Sequence, residues 1–450
     1  MSVRQPAMLG RGEELSRALT EWLPRQRWFA GKGRLIRSIG LEKTAELAEE
    51  LSALIIIVTY GSESAERYQL FIGSRQDSSP PENATIGFVD GRRLYDALAD
   101  RELRLTLWSY LLTSQDRTWR LRSLNSGFVP FGTSSELLSA EQSNTSVVFD
   151  NEAIFKIYRK LESGLNPDLE LSRALAEVGC RDVAPVLGYV ETDTGGSSGT
   201  TLALLQQYFA DSVDGWHLAV QSAEEYAHGD TSATFAQAAS ALGEATGRVH
   251  KALAASLQSQ PMEQADLARL AARMLNKLSA AAQEIPEVAA HQKRLRSLFE
   301  AVENVGCPPN IQRIHGDLHL GQVLNTGGAW KLVDFEGEPA APMSERTQAM
   351  SPLRDVAGML RSFNYAAGYC SAMRGFADDS ADMRARTWEI GARDAFLDGY
   401  SRFVGFEVLE HAVLLRALEL EKAIYEVMYE LRNRPTWIEV PLAAVRRLAE

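Results

Sequence analysis

The stretch 314–339, IHGDLHLGQVLNTGGAWKLVDFEGEP, carries two histidines and four acidic residues. Asp317, Gln322 and Asp334 within it suit phosphoryl transfer from a nucleotide, which asks a protein mainly for positioning and charge neutralisation. Such a site needs a carboxylate to accept the substrate hydroxyl proton, oxygen ligands for Mg²⁺ and a lysine on the phosphates. Asp317 fits the base. Gln322 and Asp334 fit the metal cradle, because magnesium is held by one or two carboxylates together with phosphates and water. Upstream, AIFKIYR sets Lys156 in an apolar, strand-like run, where an unpaired ammonium is costly and a carboxylate partner is expected. Glu170, in the following helical stretch NPDLELSRAL, is the candidate for a helix-borne glutamate paired with a strand-borne lysine. The turn EQSNTS before that strand lacks the glycines of a GxGxxG loop, but its hydroxyls and amides, Ser143 and Thr145 among them, can cover phosphates.

Two other readings compete for the same residues. A transition metal held by His315, Asp317 and His319 is the rival for HGDLH, but the other five histidines are scattered and form no second cluster. His315 is expected instead to hold its loop through a ring-to-backbone hydrogen bond, and Asp355 to anchor that loop. RQRWFAGKGR gathers four cations around two aromatics like a nucleic-acid arm, yet it is short and the chain is acidic; packing of Trp28 and Phe29 between domains is preferred.

The elements that must position these groups follow from periodicity and turn residues. A helix is expected from Glu13 to Leu23, then a small sheet-rich region containing LSALIIIVTYG and ERYQLFIG, separated by the polar SRQDSSPPENA. From Gly91 to Thr113 the pattern turns helical. A strand–turn–strand around EQSNTS, a helix at NPDLELSRALAEVG and a strand at TLALLQQYFA, beyond a GGSSG loop, make a mixed lobe. From Asp211 onward helical periodicity dominates, at 220–257, 263–281, 287–304, 352–371, 383–404 and 408–432. The acidic stretch is read as loops and a hairpin turning at NTGGA.

With 450 residues, 45% hydrophobic and 24% charged, the chain has room for two or three domains and a sizeable core. A formal net charge of −12 argues against a general nucleic-acid binder but leaves room for a small anionic ligand. Cys180, Cys307 and Cys370 have no CxxC spacing, so neither a disulfide framework nor a cysteine zinc site is expected, and a reducing cytoplasm is. No stretch approaches the roughly 18 apolar residues of a membrane span.

HGDLHLGQVL followed by LVDFEG resembles the catalytic and metal loops of the aminoglycoside phosphotransferase-like kinases. More closely, QRWFAGKGR (26–34), EQSNTS (141–146), HGDLHLGQVL (315–324), DFEGEP (334–339), RDVAGMLRSF (354–363) and YEVMYELRNRPTWIEVPL (425–442) resemble the bacterial maltokinases. The similarity runs from Gln26 to Leu442, in the expected order. It departs from the wider kinase pattern in having Gln322 where Asn is usual, as maltokinases and related glucosamine kinases do, and in replacing the glycine-rich loop.

The resemblance implies an α+β, bilobal, eukaryotic-protein-kinase-like fold with an N-terminal sheet-rich cap domain at 1–95, nucleotide-binding strands at 96–209 and a mostly helical C-terminal lobe at 210–450. It implies a cytoplasmic kinase that uses ATP and Mg²⁺ to phosphorylate the anomeric hydroxyl of maltose, within glycogen and trehalose metabolism. ATP would lie against LLQQYF, so that Gln207 and Tyr208 join Lys156, Glu170, Ser143 and Thr145; the sugar would meet Asp317, His319 and Glu336. On the helix LLRALELEKAIYEVMYELR, at about 100° per residue, Leu420, Ile424, Val427 and Leu431 share one face. Lys422, Tyr425 and Tyr429 lie opposite, and with the resemblance they read as the wall of a sugar pocket. A trehalose-converting partner enzyme is allowed for; neither nucleic acid nor membrane is expected, and the chain is expected to be a monomer or weak homodimer. An aminosugar or aminoglycoside kinase is the alternative, which would call for several carboxylates around the acceptor. A silent kinase-like binding protein is disfavoured by the intact Lys156, Asp317, Gln322 and Asp334.

Overall fold

The computed structural model describes residues 12–61, 64–75, 79–124, 130–138, 143–192, 199–339, 341–374 and 379–449, without the side chains of 371–374 and 379. Glu141 and Gln142 of the EQSNTS turn and most of the GGSSG loop lie outside these residues. The chain divides into two compact units: residues up to Glu170 with Pro185–Ala210, and Leu171–Ala184 with Asp211 onward.

The first unit contains two antiparallel sheets. One has the order Ile36–Ala48, Leu51–Tyr60, Ala65–Gly73, Arg92–Asp96, Thr85–Val89, and Lys160–Leu161 also pairs with Ala65–Gly73. Leu51–Tyr60 is apolar almost throughout because both of its faces are covered. Side chains alternate along a strand, so Leu54, Ile56 and Val58 join Leu15, Leu19 and Trp22 of the helix Gly12–Trp22. Leu51, Ala53 and Ile55 join a cluster with Phe149, Phe155 and Leu204 from the second sheet. That second sheet runs Arg122–Ser123, Val186–Glu191, Thr201–Gln207, Ala153–Ile157, Thr145–Phe149, Ser135–Leu137, which places Lys156 on an interior strand.

The second unit is mostly helical, and its longest helices are Ala236–Leu257, Gln264–Glu284, Leu353–Arg374, Asp379–Val404 and Ala412–Asn433. Helices Ala236–Leu257 and Asp379–Val404 cross at glycine: a Cβ on Gly243 would stand 2.1 Å from Phe396 O, and one on Gly399 would stand 2.1 Å from Ser240 O. A small hairpin, Val323–Asn325 with Trp330–Leu332, carries the acidic stretch.

Several boundaries differ from the sequence expectation. Gly91–Thr113 is not helical throughout; Arg92–Asp96 is a strand, and the helix begins at Arg101 behind an Asp100 cap. The expected helix 220–257 is two, Gly215–Ala227 and Ala236–Leu257, broken at the Gly229–Asp230 turn. The hairpin's first strand is Val323–Asn325, whereas Ile311–Gln312 pairs with Ser259–Gln260. The fold is α+β, sheet-rich toward the N-terminus and helical toward the C-terminus. Among the described residues no helix is long and apolar enough to cross a membrane.

Candidate active site

The HGD turn needs glycine in its middle. Gly316 has φ +85°, a left-handed conformation that costs glycine little. Helix Leu353–Arg374 fixes the loop from behind. Asp355 Oδ2 accepts from His315 N at 2.8 Å and Oδ1 from Gly316 N at 2.9 Å, while Ser362 Oγ accepts from Leu320 N at 3.0 Å. His250 Nε2 lies 2.9 Å from Asp355 Oδ2, and its Nδ1 lies 2.8 Å from Tyr400 Oη, which completes a buried chain behind the loop. The His315 ring sits 2.9 Å from Val333 O, so it is committed to the loop, as its sequence context suggests.

Asp317 projects from this loop and meets Lys422, with Nζ 2.9 Å from Oδ1. Burial alone would raise the Asp317 carboxyl; Lys422, with His319 and His315, outweighs it and holds the group at about 2. His319 is lowered by burial against the pull of Asp317, and its Nδ1 accepts from Gly321 N at 3.0 Å. The cavity beside Asp317 is lined by Lys277, Glu338, Arg354, Glu421, Lys422 and Tyr425, together with Gly316, Leu318, Gly358 and Leu418.

Its charges pair off. Glu421 Oε1 lies 2.9 Å from Lys277 Nζ, and its Oε2 lies 3.1 Å from Arg354 Nη1; the second Arg354 nitrogen is 3.3 Å from Glu338 Oε2. Burial would raise Glu421, but Arg354, Lys277 and Arg273 hold it at about 2. Tyr425 is raised to about 12, first by burial and then by Glu338, to which it hydrogen-bonds.

On the neighbouring loop Gln322 Nε2 donates to Asp334 Oδ2 at 2.9 Å. Asp334 has φ +67°, a strained conformation for a non-glycine residue of the kind that persists at functional sites. A carboxylate oxygen of Asp334 lies within 4.8 Å of one from Glu336. Two carboxylates and an amide oxygen are hard donors of the kind Mg²⁺ takes.

In the first unit the buried Lys156 bonds Asp168, Nζ to Oδ2 at 3.2 Å. Asp168 is fully buried in the first turn of the helix Pro167–Glu177, and Tyr158 Oη also donates to it at 3.3 Å. The sequence points to Glu170, which lies two positions on and so about 200° around the helix; Glu170 is only half-buried. Thr145 opens a strand and its hydroxyl accepts from Arg159 Nε at 2.8 Å, while Ser143 is exposed just before it. Gln207 ends the strand Thr201–Gln207, and Tyr208 N donates to Glu152 O at 2.8 Å.

Of the expected sugar wall, Lys422 and Tyr425 line the Asp317 cavity, with Lys422 Nζ 5.0 Å from the Tyr425 ring centre. Tyr429 is outside that lining, stacks on Tyr425 at 6.3 Å and remains 37% exposed. The DFEGEP carboxylate in the cavity is Glu338. Glu336 stands 4.0 Å from Arg346 instead. Sequence reasoning overlooked Glu338, Arg354, Glu421 and Lys277. The first two lie inside motifs quoted above, whereas nothing local marks Lys277.

A family model described as the phosphotransferase enzyme family matches residues 135–392. The chain belongs to that family. A second model, the maltokinase N-terminal cap domain, matches residues 22–100. A glucosamine kinase of Streptacidiphilus jiangxiensis is 30% identical over 317 residues, 67% of this chain and 70% of that protein. One from Mycolicibacterium smegmatis is 30% identical over 324 residues, 70% of this chain and 79% of that protein. A solved glucosamine kinase in complex with glucosamine, ADP and inorganic phosphate aligns with TM-score 0.69 at 22% identity, covering 96% of this chain and 98% of that one. At that identity the likeness is one of fold.

Proposed function

We propose that the protein is an ATP-dependent sugar kinase whose acceptor is the neutral disaccharide maltose, phosphorylated at its anomeric hydroxyl. The charge balance beside Asp317 carries the acceptor reading: Asp317 faces Lys422, Glu338 faces Arg354, and Glu421 faces Lys277 and Arg354. A cationic aminosugar would be drawn to carboxylates left unmatched, whereas hydroxyls can share donors and acceptors with matched pairs. The maltokinase-type cap supports the same acceptor. The second reading is a glucosamine kinase, favoured by the two relatives of that name.

Asp317 accepts the proton of the anomeric hydroxyl as its oxygen attacks the γ-phosphorus, and ADP leaves with the bridging oxygen. Lys156 neutralises nucleotide phosphates, held in place by Asp168. Ser143, Thr145, Gln207 and Tyr208 belong to the nucleotide side, and Glu170 remains a candidate there. Mg²⁺, when bound, supplies charge neutralisation on the phosphates; Gln322 and Asp334 would hold it, with Glu336 near enough to assist. Lys422, Tyr425 and His319 orient the sugar, with Tyr429 as an outer platform. We place the cap at 1–95, the nucleotide strands at 96–209 and the acceptor lobe at 210–450. Substituting Asp317→Asn tests the core of this reading. Turnover should fall by about 10² to 10⁴ while ATP affinity, measured by calorimetry, stays within a few-fold. An unchanged kcat removes Asp317 from the chemistry. A panel of maltose, glucose, glucosamine and an aminoglycoside decides the acceptor.

A further inference from the structure

The cavity beside Asp317 is electrically closed by one residue that touches two of its carboxylates. Arg354 spans Glu421, at 3.1 Å, and Glu338, at 3.3 Å. Lys277 reaches only Glu421, and Lys422 is bonded to Asp317. Among the charged groups lining the cavity there are three cations, Lys277, Arg354 and Lys422, and three carboxylates, Asp317, Glu338 and Glu421. Without Arg354 the lining holds two cations against three carboxylates; Glu421 keeps Lys277 and, at 3.5 Å from outside the lining, Arg273, so it is Glu338 that loses the guanidinium bonded to it. Glu338 is also the carboxylate bonded to Tyr425, so the uncovered charge would sit against the aromatic wall of the cavity.

We infer that Arg354 is the specificity-determining residue that biases this acceptor site against cationic sugars, by occupying with its own guanidinium the place an acceptor ammonium would take beside Glu338. The inference rests on the sugar-kinase reading, but not on which sugar the wild type prefers. An ammonium within about 4 Å of a carboxylate gains far more in a partly buried site than in water, so the site must either match its carboxylates internally or bind a cation there. Arg354 supplies the internal match. It does so from the N-terminal turn of the helix whose next residue, Asp355, fixes the catalytic loop, so the acceptor wall and the loop share one support.

The test is the Arg354→Gln variant of the full chain, assayed at a pH where glucosamine is protonated. The readouts are kcat/KM for maltose and for glucosamine, and calorimetric Kd values for the same two sugars. The ratio of glucosamine to maltose, in either measure, should rise at least ten-fold, while Arg354→Lys keeps the wild-type ratio. Arg354→Gln combined with Glu338→Gln should bring the ratio back toward wild type. A ratio that stays within two-fold while both sugars weaken together overturns the proposal and leaves Arg354 a structural residue. So does a Lys variant that behaves like the Gln variant. Should the wild type prefer glucosamine, the maltose reading falls, and the change of ratio in Arg354→Gln still decides the role of Arg354. Should neither sugar bind the wild type or the variants, both readings fall together.

Discussion

At the scale of single residues, Asp317 is the group whose state is set most directly by a neighbour. Its carboxyl is held at about 2 by the Lys422 ammonium against the upward push of burial. A carboxylate held so low stays ionised across the working range, so as the proposed base it adds no acid limb to kcat/KM above about pH 4. Lys422→Met removes the opposing charge and leaves burial dominant. Desolvation raises a carboxyl, so an acid limb should move upward into the measurable range, above its wild-type position. A pH profile of kcat/KM checks this, and a profile superimposable on wild type would show that Lys422 does not tune Asp317. The site was legible in the sequence where chemistry is local. Asp317, Gln322 and Asp334 lie within one motif, and Lys422 and Tyr425 fall on the helix face that the 3.6-residue period isolates. The carboxylate that the structure places on Lys156, Asp168, lies two residues before the Glu170 to which the sequence points, because helix phase relative to a strand depends on packing that sequence spacing does not encode. Lys277 was invisible for a related reason: its partner Glu421 is 144 positions away.

At the scale of elements, two glycine contacts look alike and should behave differently. On Gly358 a Cβ would approach Leu318 O to 2.5 Å, next to Asp317; on Gly399 it would approach Ser240 O to 2.1 Å, where two helices cross and the nearest atoms are not those of the HGD loop. Overpacking of this kind typically costs about 1–3 kcal/mol. Gly399→Ala should lower Tm by several degrees with kcat nearly intact in the folded fraction. Gly358→Ala should lower kcat by more than its loss of Tm accounts for, because the added methyl presses on the loop that aims Asp317. Calorimetric melts beside single-substrate kinetics separate the two. The long helices were readable from their apolar period, since each has one face in the core of its unit. The strand Arg92–Asp96 was misread as helical because five residues hold too little period to decide, and sheet pairing with Thr85–Val89 made the choice.

At the scale of the whole molecule, the first unit is bound together by a charge pair its sequence does not advertise. Arg159, 1% exposed, bonds Asp96 at 2.5 Å and lies 4.8 Å over the ring of Trp28. Packing between domains, as the sequence suggested, holds only for Trp28, which meets Arg159; Phe29 is buried within the cluster formed by residues 15–94, against Tyr68. Removing one partner of a buried pair commonly costs about 3–5 kcal/mol, so Asp96→Ala should destabilise the first unit on that scale, read as a lowered denaturant midpoint. Asp96→Ala combined with Arg159→Met should recover part of the loss; no recovery would place the cost in the lost cap of the turn at Leu98, whose N donates to Asp96 at 3.2 Å. The chain leaves this unit after Glu170, returns at Pro185 and departs for good after Ala210. For a chain made from its N-terminus, that itinerary fixes an order of events. The strand Thr201–Gln207, which flanks Lys156 through Leu204, is among the last pieces of its sheet to be synthesised. Until it emerges, the lysine that later sits dry stays in water, and the ribosome must deliver the segment 171–184 of the other unit first. A nascent chain halted before residue 201 would therefore hold a finished first sheet and an open second one, the form a chaperone would have to shelter.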